Sequence, residues 1–202
     1  MSTTDTTYAQ RLQRLSARGG TLRRFLDPQR PYRWNLRRLD PGFVLDIGCG
    51  IGRHLAHLDG NGVGIDHNVE CVAACRTAGL TAYTADEFEG TEYATDGRFD
   101  SLLFSHVLEH MTEDEASALV ERSLHLIRPG GRVIVITPQE RGQRSDATHV
   151  ALVDADAVRR IARKVQLEVV SITSFPFPRV VGRVFTHNET VSVLRRPAGA
   201  SR

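Results

Sequence analysis

Two aspartates and a run of glycines carry the strongest chemical signal in the chain. Residues 44–55, VLDIGCGIGRHL, place Asp46 at the end of an apolar run and follow it with Gly48, Gly50 and Gly52. Glycines at that spacing let the backbone turn tightly and approach a nucleotide-like ligand, and Cys49 sits inside the same turn. A dinucleotide turn would read GxGxxG. This one reads GxGxG behind a carboxylate, which would repel a pyrophosphate, so a cationic ligand is the better match. Eighteen residues beyond Gly48, Asp66 ends a second apolar run, GVGID, where a carboxylate can accept hydrogen bonds from both hydroxyls of a ribose.

A second group of residues could move protons. FSHVLEHM holds Ser105, His106, Glu109 and His110, and RSDATHV adds His149. Imidazole is the side chain whose unperturbed pKa suits a general base near neutrality, so His106 and His149 rank first, followed by Glu109 and His110. Spacings of three and four among His106, Glu109 and His110 also fit convergence on a metal, with His149 as a fourth ligand. The bland alternative is that these side chains only order their loops by hydrogen bonding, and the expectation is that no metal is resident.

Any of these roles requires the residues to meet at one edge of a sheet. Apolar β-type runs alternate with helical segments: FVLDI, a helix from about Arg53, GVGID, a helix near 69–78, a strand at 80–84 and FDSLLF at 99–104. A helix over 113–127 is expected to stop at Arg128-Pro129-Gly130-Gly131, before RVIVITP at 132–138. A helix at 154–165 and strands near 167–174 and 190–194 complete the pattern. Such alternation predicts an α/β fold with a mostly parallel sheet and helices on both faces, whose ligands bind at the C-terminal strand edge. The segment from Val180 to Leu194 could instead pair strands across a homodimer.

On these motifs the chain resembles the class I S-adenosylmethionine-dependent methyltransferases, whose first motif sets an acidic residue two positions before a GxGxG loop. FDSLLFSHVLEHM and RPGGRVIVITP resemble two later blocks of that family, so the resemblance covers about residues 43–138. It implies a Rossmann-like, seven-stranded sheet and S-adenosyl-L-methionine as cofactor. The loop of Gly48, Cys49, Gly50 and Gly52 would contact its methionine portion, Asp46 would orient its ammonium group, and Asp66 would hold its ribose. His67 would flank the adenine, and Ser105 would line the same edge. Asp86 in YTADEF would receive the adenine amino group, with Glu87 and Phe88 contacting or stacking on the ring; the competing assignment for Asp86 is a helix N-cap. HVLEH with a later histidine is also similar to small-RNA 2′-O-methyltransferases, whose metal site uses ExxEH, although His106 stands where their first Glu would be. The letters match the HxxEH of inverted zinc peptidases too, but a segment that follows a sheet strand inside a methyltransferase framework argues against that activity.

Composition narrows the classes. At 202 residues and 41% hydrophobic content, one core-forming domain is expected, over residues 42–196, preceded by a helical arm or lid at 1–41 and followed by a flexible tail at 197–202. Tyr32 and Trp34 in that arm, with Phe175, Phe177 and Phe185, could cover an apolar acceptor or simply pack. No run approaches the roughly 18 apolar residues of a membrane span, and the N-terminus lacks a signal-peptide core, so a cytoplasmic location is expected. Cys49, Cys71 and Cys75 form no CxxC pair. Residues 1–41 hold nine arginines against three aspartates, yet Lys164 is the only lysine of the chain, which points to genome composition more than to a nucleic-acid partner. The expected activity is methyl transfer to oxygen, nitrogen or carbon of a small molecule; the alternatives are a metal-assisted RNA 2′-O-methyltransferase and a non-catalytic, cofactor-binding regulator.

Overall fold

Strands that carry apolar residues at adjacent positions must bury both faces, and three strands here do so. In β1 (Val44–Ile47), β4 (Phe99–Ser105) and β5 (Ile127–Pro138), Leu45, Leu102, Phe104, Val133 and Val135 face one cluster, while Val44, Leu103, Ile134 and Ile136 face another. The computed structural model describes residues 27–199. With β2 (Gly62–Ile65), β3 (Ala82–Tyr83), β6 (Glu168–Phe175) and β7 (Glu189–Arg195), these strands form one seven-stranded sheet in the order β3-β2-β1-β4-β5-β7-β6. The pairs from β3 through β5 are parallel, and β7 runs antiparallel to both β5 and β6. Residues 189–195 therefore complete this chain's own sheet, flanked on both sides.

Helices cover both faces. Among the described residues these are α1 (Arg30–Arg38), α2 (Arg53–His57), α3 (Val69–Thr77), α4 (Ala85–Glu89), α5 (Glu113–Ser123), α6 (Glu140–Gln143) and α7 (Ala155–Lys164). Helix α7 turns Ala157, Val158, Ile161 and Ala162 onto the larger cluster, at the i, i+4 spacing of an amphipathic helix. On the opposite face Leu36 of α1 is 1% exposed and packs with Val44, Leu103 and Ile134. Residues 1–26 of the expected helical arm lie outside the described residues, as do residues 200–202 of the expected tail.

Three local expectations need correction. Helix α5 ends at Ser123, and residues 128–131 form a bulge within β5 rather than a turn before it: the register jumps from Phe99↔Ile127 to Ser101↔Arg132. Gly130 at φ +74 and the Arg128 guanidinium, bonded to Asp100 at 2.6 Å, accommodate the extra residues. The third strand shrinks to Ala82–Tyr83. After it comes α4, whose N-cap is Thr84, not Asp86: Thr84 and Glu87 form a reciprocal capping box.

Candidate functional site

Strand β1 is where the strand order reverses, with β2 and β3 on one side and β4 and β5 on the other. That reversal opens a crevice at the C-terminal ends of the strands. The glycine turn springs from it. Gly48 has φ +76, and a Cβ there would lie 2.5 Å from Val107 Cγ2; Gly52 has φ +79, and a Cβ would lie 2.5 Å from Leu80 Cδ1. Amides of Gly48 and Cys49 donate to Ile65 O at 2.8 and 3.0 Å, tying the turn to β2. The Cys49 side chain packs inward with Leu55, Val72, Cys75 and Ala82, so only its backbone belongs to the turn's outer surface.

Asp66 organises the crevice floor. Its Oδ2 accepts from Gly50 N–H and its Oδ1 from Asn68 N–H, both at 2.8 Å, while Asn68 in turn caps α3. Asp46 is different in kind. It is 1% exposed, and neither carboxylate oxygen has a hydrogen-bond partner among the described residues. Burial, reinforced by the charge of Asp66, pushes its pKa up to about 7. A buried carboxylate without donors is costly, and a bound cation would offset that cost.

The candidate adenine contacts separate. Exposed His67 stands beside Asp66, Nδ1 to Oδ1 3.5 Å, and Asp86 is exposed on α4. Glu87 is occupied by its capping box and by Arg76 at 2.7 Å, contacts that hold its carboxyl below the usual range. Phe88 is 5% exposed and packs against Phe99 in the core, so its ring is not placed to stack on a base. The family resemblance grouped these four; helix phase divides the three on α4.

Past β4, Ser105 bonds across the strand reversal to His54, Oγ to Nε2 3.2 Å. His106 follows at φ +57, a left-handed conformation that sets its ring between two carboxylates: Nδ1 to Glu109 Oε1 3.2 Å, Nε2 to Glu189 Oε1 3.0 Å. Burial opposes charging of that ring, yet the bonds to Glu109 and Glu189 prevail and raise its pKa to about 10. Its side chain is still 40% exposed, which limits how strongly burial can oppose them. Both ring nitrogens of His106 are thus committed to carboxylates, a geometry that favours the imidazolium and argues against its ranking as a general base. His110 and His149 lie elsewhere, ring centroids 4.9 Å apart, each with Nδ1 against a backbone carbonyl: Thr148 O at 3.2 Å and Gln143 O at 3.0 Å. Glu109 is fully buried and its Oε2 has no partner among the described residues.

Two members of the site were missed by sequence reasoning. His54 lies in the quoted glycine motif, one residue into α2, where burial and then His106 hold its pKa well below the usual imidazole range. Its position directly after the turn was the available signal. Glu189 reaches the site because antiparallel β7 returns its N-terminal end to the edge where parallel β5 ends, opposite Pro138; no local pattern announces that. Of the five candidate lid aromatics, Tyr32, Trp34 and Phe175 meet, with centroids 5.6 and 6.4 Å from Phe175, while Phe177 pairs separately with Phe185.

Comparison with known proteins agrees with this geometry. A family described as a methyltransferase domain matches residues 4–172. A ubiquinone biosynthesis O-methyltransferase of Xylella fastidiosa is 30% identical over 129 residues, which cover 60% of this chain and 50% of that protein. The chain therefore spans about half the length of the curated relatives it matches. Among solved structures, an S-adenosylmethionine-dependent methyltransferase from Archaeoglobus fulgidus superimposes with TM-score 0.65 at 19% identity, covering 85% of this chain and 99% of that one. A magnesium protoporphyrin IX methyltransferase from Synechocystis with bound S-adenosylhomocysteine gives 0.67 at 16% identity, covering 96% of each chain.

Proposed function

Because the chain belongs to the methyltransferase domain family, we propose that it transfers a methyl group from S-adenosyl-L-methionine to a small organic acceptor. One observation carries the reading: a buried Asp46 without hydrogen-bond partners among the described residues, at the head of a glycine turn and beside Asp66. An ammonium group answers that unmet charge. A pyrophosphate would aggravate it.

The residues present fit the cofactor. Asp46 would pair with its ammonium, the turn from Gly48 to Gly52 would lie along its methionine portion, Asp66 would accept from its ribose hydroxyls, and His67 and Asp86 would flank its adenine. When bound, the cofactor supplies an electrophilic methyl carbon on a sulfonium. The chain's part is to hold an acceptor lone pair in line with that methyl, about 3 to 3.5 Å away, and to keep competing water out. Where the acceptor is a hydroxyl, His110 and His149 offer the lone pairs at the strand edge to which its proton could pass. The oxygen named for the Xylella relatives makes oxygen the favoured acceptor atom.

Calorimetric titration of the metal-stripped protein with S-adenosylmethionine and, separately, NAD tests the cofactor. Micromolar binding of the first alone is expected, and binding of NAD alone would overturn the reading. Transfer of labelled methyl to small phenols and carboxylates then separates an enzyme from a cofactor-binding regulator.

A further inference from the structure

Glu109 and His110 come from the short turn after β4, and His149 from a loop almost forty residues later, yet the chain clamps them together. Val150 N and Ala151 N donate to Glu109 O at 2.7 and 3.2 Å, and the Asp146 carboxylate shapes the loop through Thr148 N and Oγ1 at 3.0 and 2.8 Å. One ligating atom from each of Glu109, His110 and His149 lies within 4.8 Å of the others. We propose that these three side chains form a binding site for one divalent first-row transition ion.

The tautomers support it. A carbonyl oxygen can only accept, so Nδ1 of His149 carries the proton in its contact with Gln143 O; Nδ1 of His110 lies 3.2 Å from both Thr148 O and Thr148 Oγ1, and because that hydroxyl donates to Asp146, Nδ1 of His110 is the donor there too. Each Nε2 therefore keeps its lone pair. A ligating histidine held this way by a backbone carbonyl on its other nitrogen is the usual outer support of a metal site. The carboxylate supplies the independent sign: Glu109 is 0% exposed, its Oε1 serves His106, and its Oε2 is unpartnered among the described residues. Ligands about 2.1 Å from a tetrahedral ion lie roughly 3.4 Å apart, so closure by at most about 1.4 Å converts the present spacing into coordination. His106, placed between Glu109 and Glu189, is outside the set, which is why the four-residue pattern in the sequence misdescribed it.

Two imidazoles and one carboxylate suit Zn2+, Co2+, Mn2+ or Fe2+ better than Mg2+. Three protein ligands leave positions open, the arrangement of an ion that handles substrate. Such an ion would hold an acceptor oxygen as its anion, with the proton released to solvent, and would make His149 a ligand rather than a base. That role rests on the proposed acceptor; the binding site does not.

The test is titration of the chelator-stripped full chain with Co2+, followed by visible absorption and calorimetry, with S-adenosylmethionine titrated in parallel as a separate check of the cofactor site. We expect one equivalent of Co2+ with visible d–d bands, weakened at least about tenfold in both His149→Ala and the near-isosteric Glu109→Gln. His125→Ala, which alters an exposed histidine outside the cluster, should bind as the parent does. Absence of saturable Co2+ binding up to millimolar concentration, or equal binding by the two cluster variants, would overturn the site. Loss of cofactor binding with Co2+ binding intact would strike the proposed function alone.

Discussion

Asp46 and Asp66 share a sign and a crevice but do different work. Asp66 already holds the glycine turn and the start of α3 through Gly50 and Asn68 amides, so its removal should loosen the cradle as well as the ribose contact. Asp66→Ala is expected to weaken S-adenosylmethionine binding by about 1 to 3 kcal/mol, read by calorimetry. Unchanged affinity would refute the ribose placement. The adenine end gives a cleaner contrast. Exposed Asp86 should lower affinity several-fold when changed to Ala, whereas Phe88→Leu should cost about 1 kcal/mol of stability in urea and leave affinity alone, because its ring packs on Phe99. The reverse pattern would show that the base lies over Phe88. At this scale the sequence was most legible where one short motif holds all the chemistry, as at 44–55, and least where helix phase decides. YTADEF names three adjacent candidates, Asp86, Glu87 and Phe88, and only the turn of α4 shows which face out.

At the scale of elements, strand periodicity and glycine position were readable because both are local demands of the backbone. Gly52 illustrates the demand. At φ +79, with Leu80 Cδ1 2.5 Å from any Cβ, Gly52→Ala should lose about 1 to 3 kcal/mol and lower cofactor affinity together. A fully stable variant with normal binding would show that the turn has another conformation available. Helix α1 makes the complementary point. Leu36→Ala removes a side chain 1% exposed against β1, β4 and β5, and about 2 to 4 kcal/mol should go with it in denaturant unfolding. A loss under about 1 kcal/mol would mean that α1 is not integral to the sheet's second face. The bulge at 128–131 was illegible because Pro-Gly-Gly reads locally as a turn, while pairing of Ile127 and Arg132 with β4 on one side, and of Gly130 and Gly131 with Arg196 on the other, keeps the segment in the sheet. Glu189 was illegible for the same reason: only the antiparallel register of β7 carries it to the site.

For the molecule as a whole, the buried carboxylate couples cofactor binding to stability. Asp46 has its pKa raised to about 7, against an unfolded value near 3.9. The folded state therefore holds this proton more tightly than the unfolded chain, and stability from that source is complete below about pH 4 and is lost as pH climbs through about 7. The loss is on the order of 4 kcal/mol at pH 8, since each tenfold difference in proton affinity between the two states corresponds to about 1.4 kcal/mol. Asp46→Asn abolishes the titration. The variant should melt higher than the parent at pH 8, with the gap closing toward pH 4, and it should bind S-adenosylmethionine more weakly at every pH above neutrality. An ammonium beside the parent carboxylate lowers its pKa, so binding near pH 6 should release close to one proton, visible as a dependence of calorimetric enthalpy on the ionisation enthalpy of the buffer. Parallel melting curves for parent and variant, or cofactor binding in the parent with no proton release, would remove Asp46 from the ammonium site. The protein would then need another answer to the unmet charge beneath its glycine turn. If instead both effects appear, the same residue that destabilises the empty crevice is the one that makes the cofactor its natural occupant.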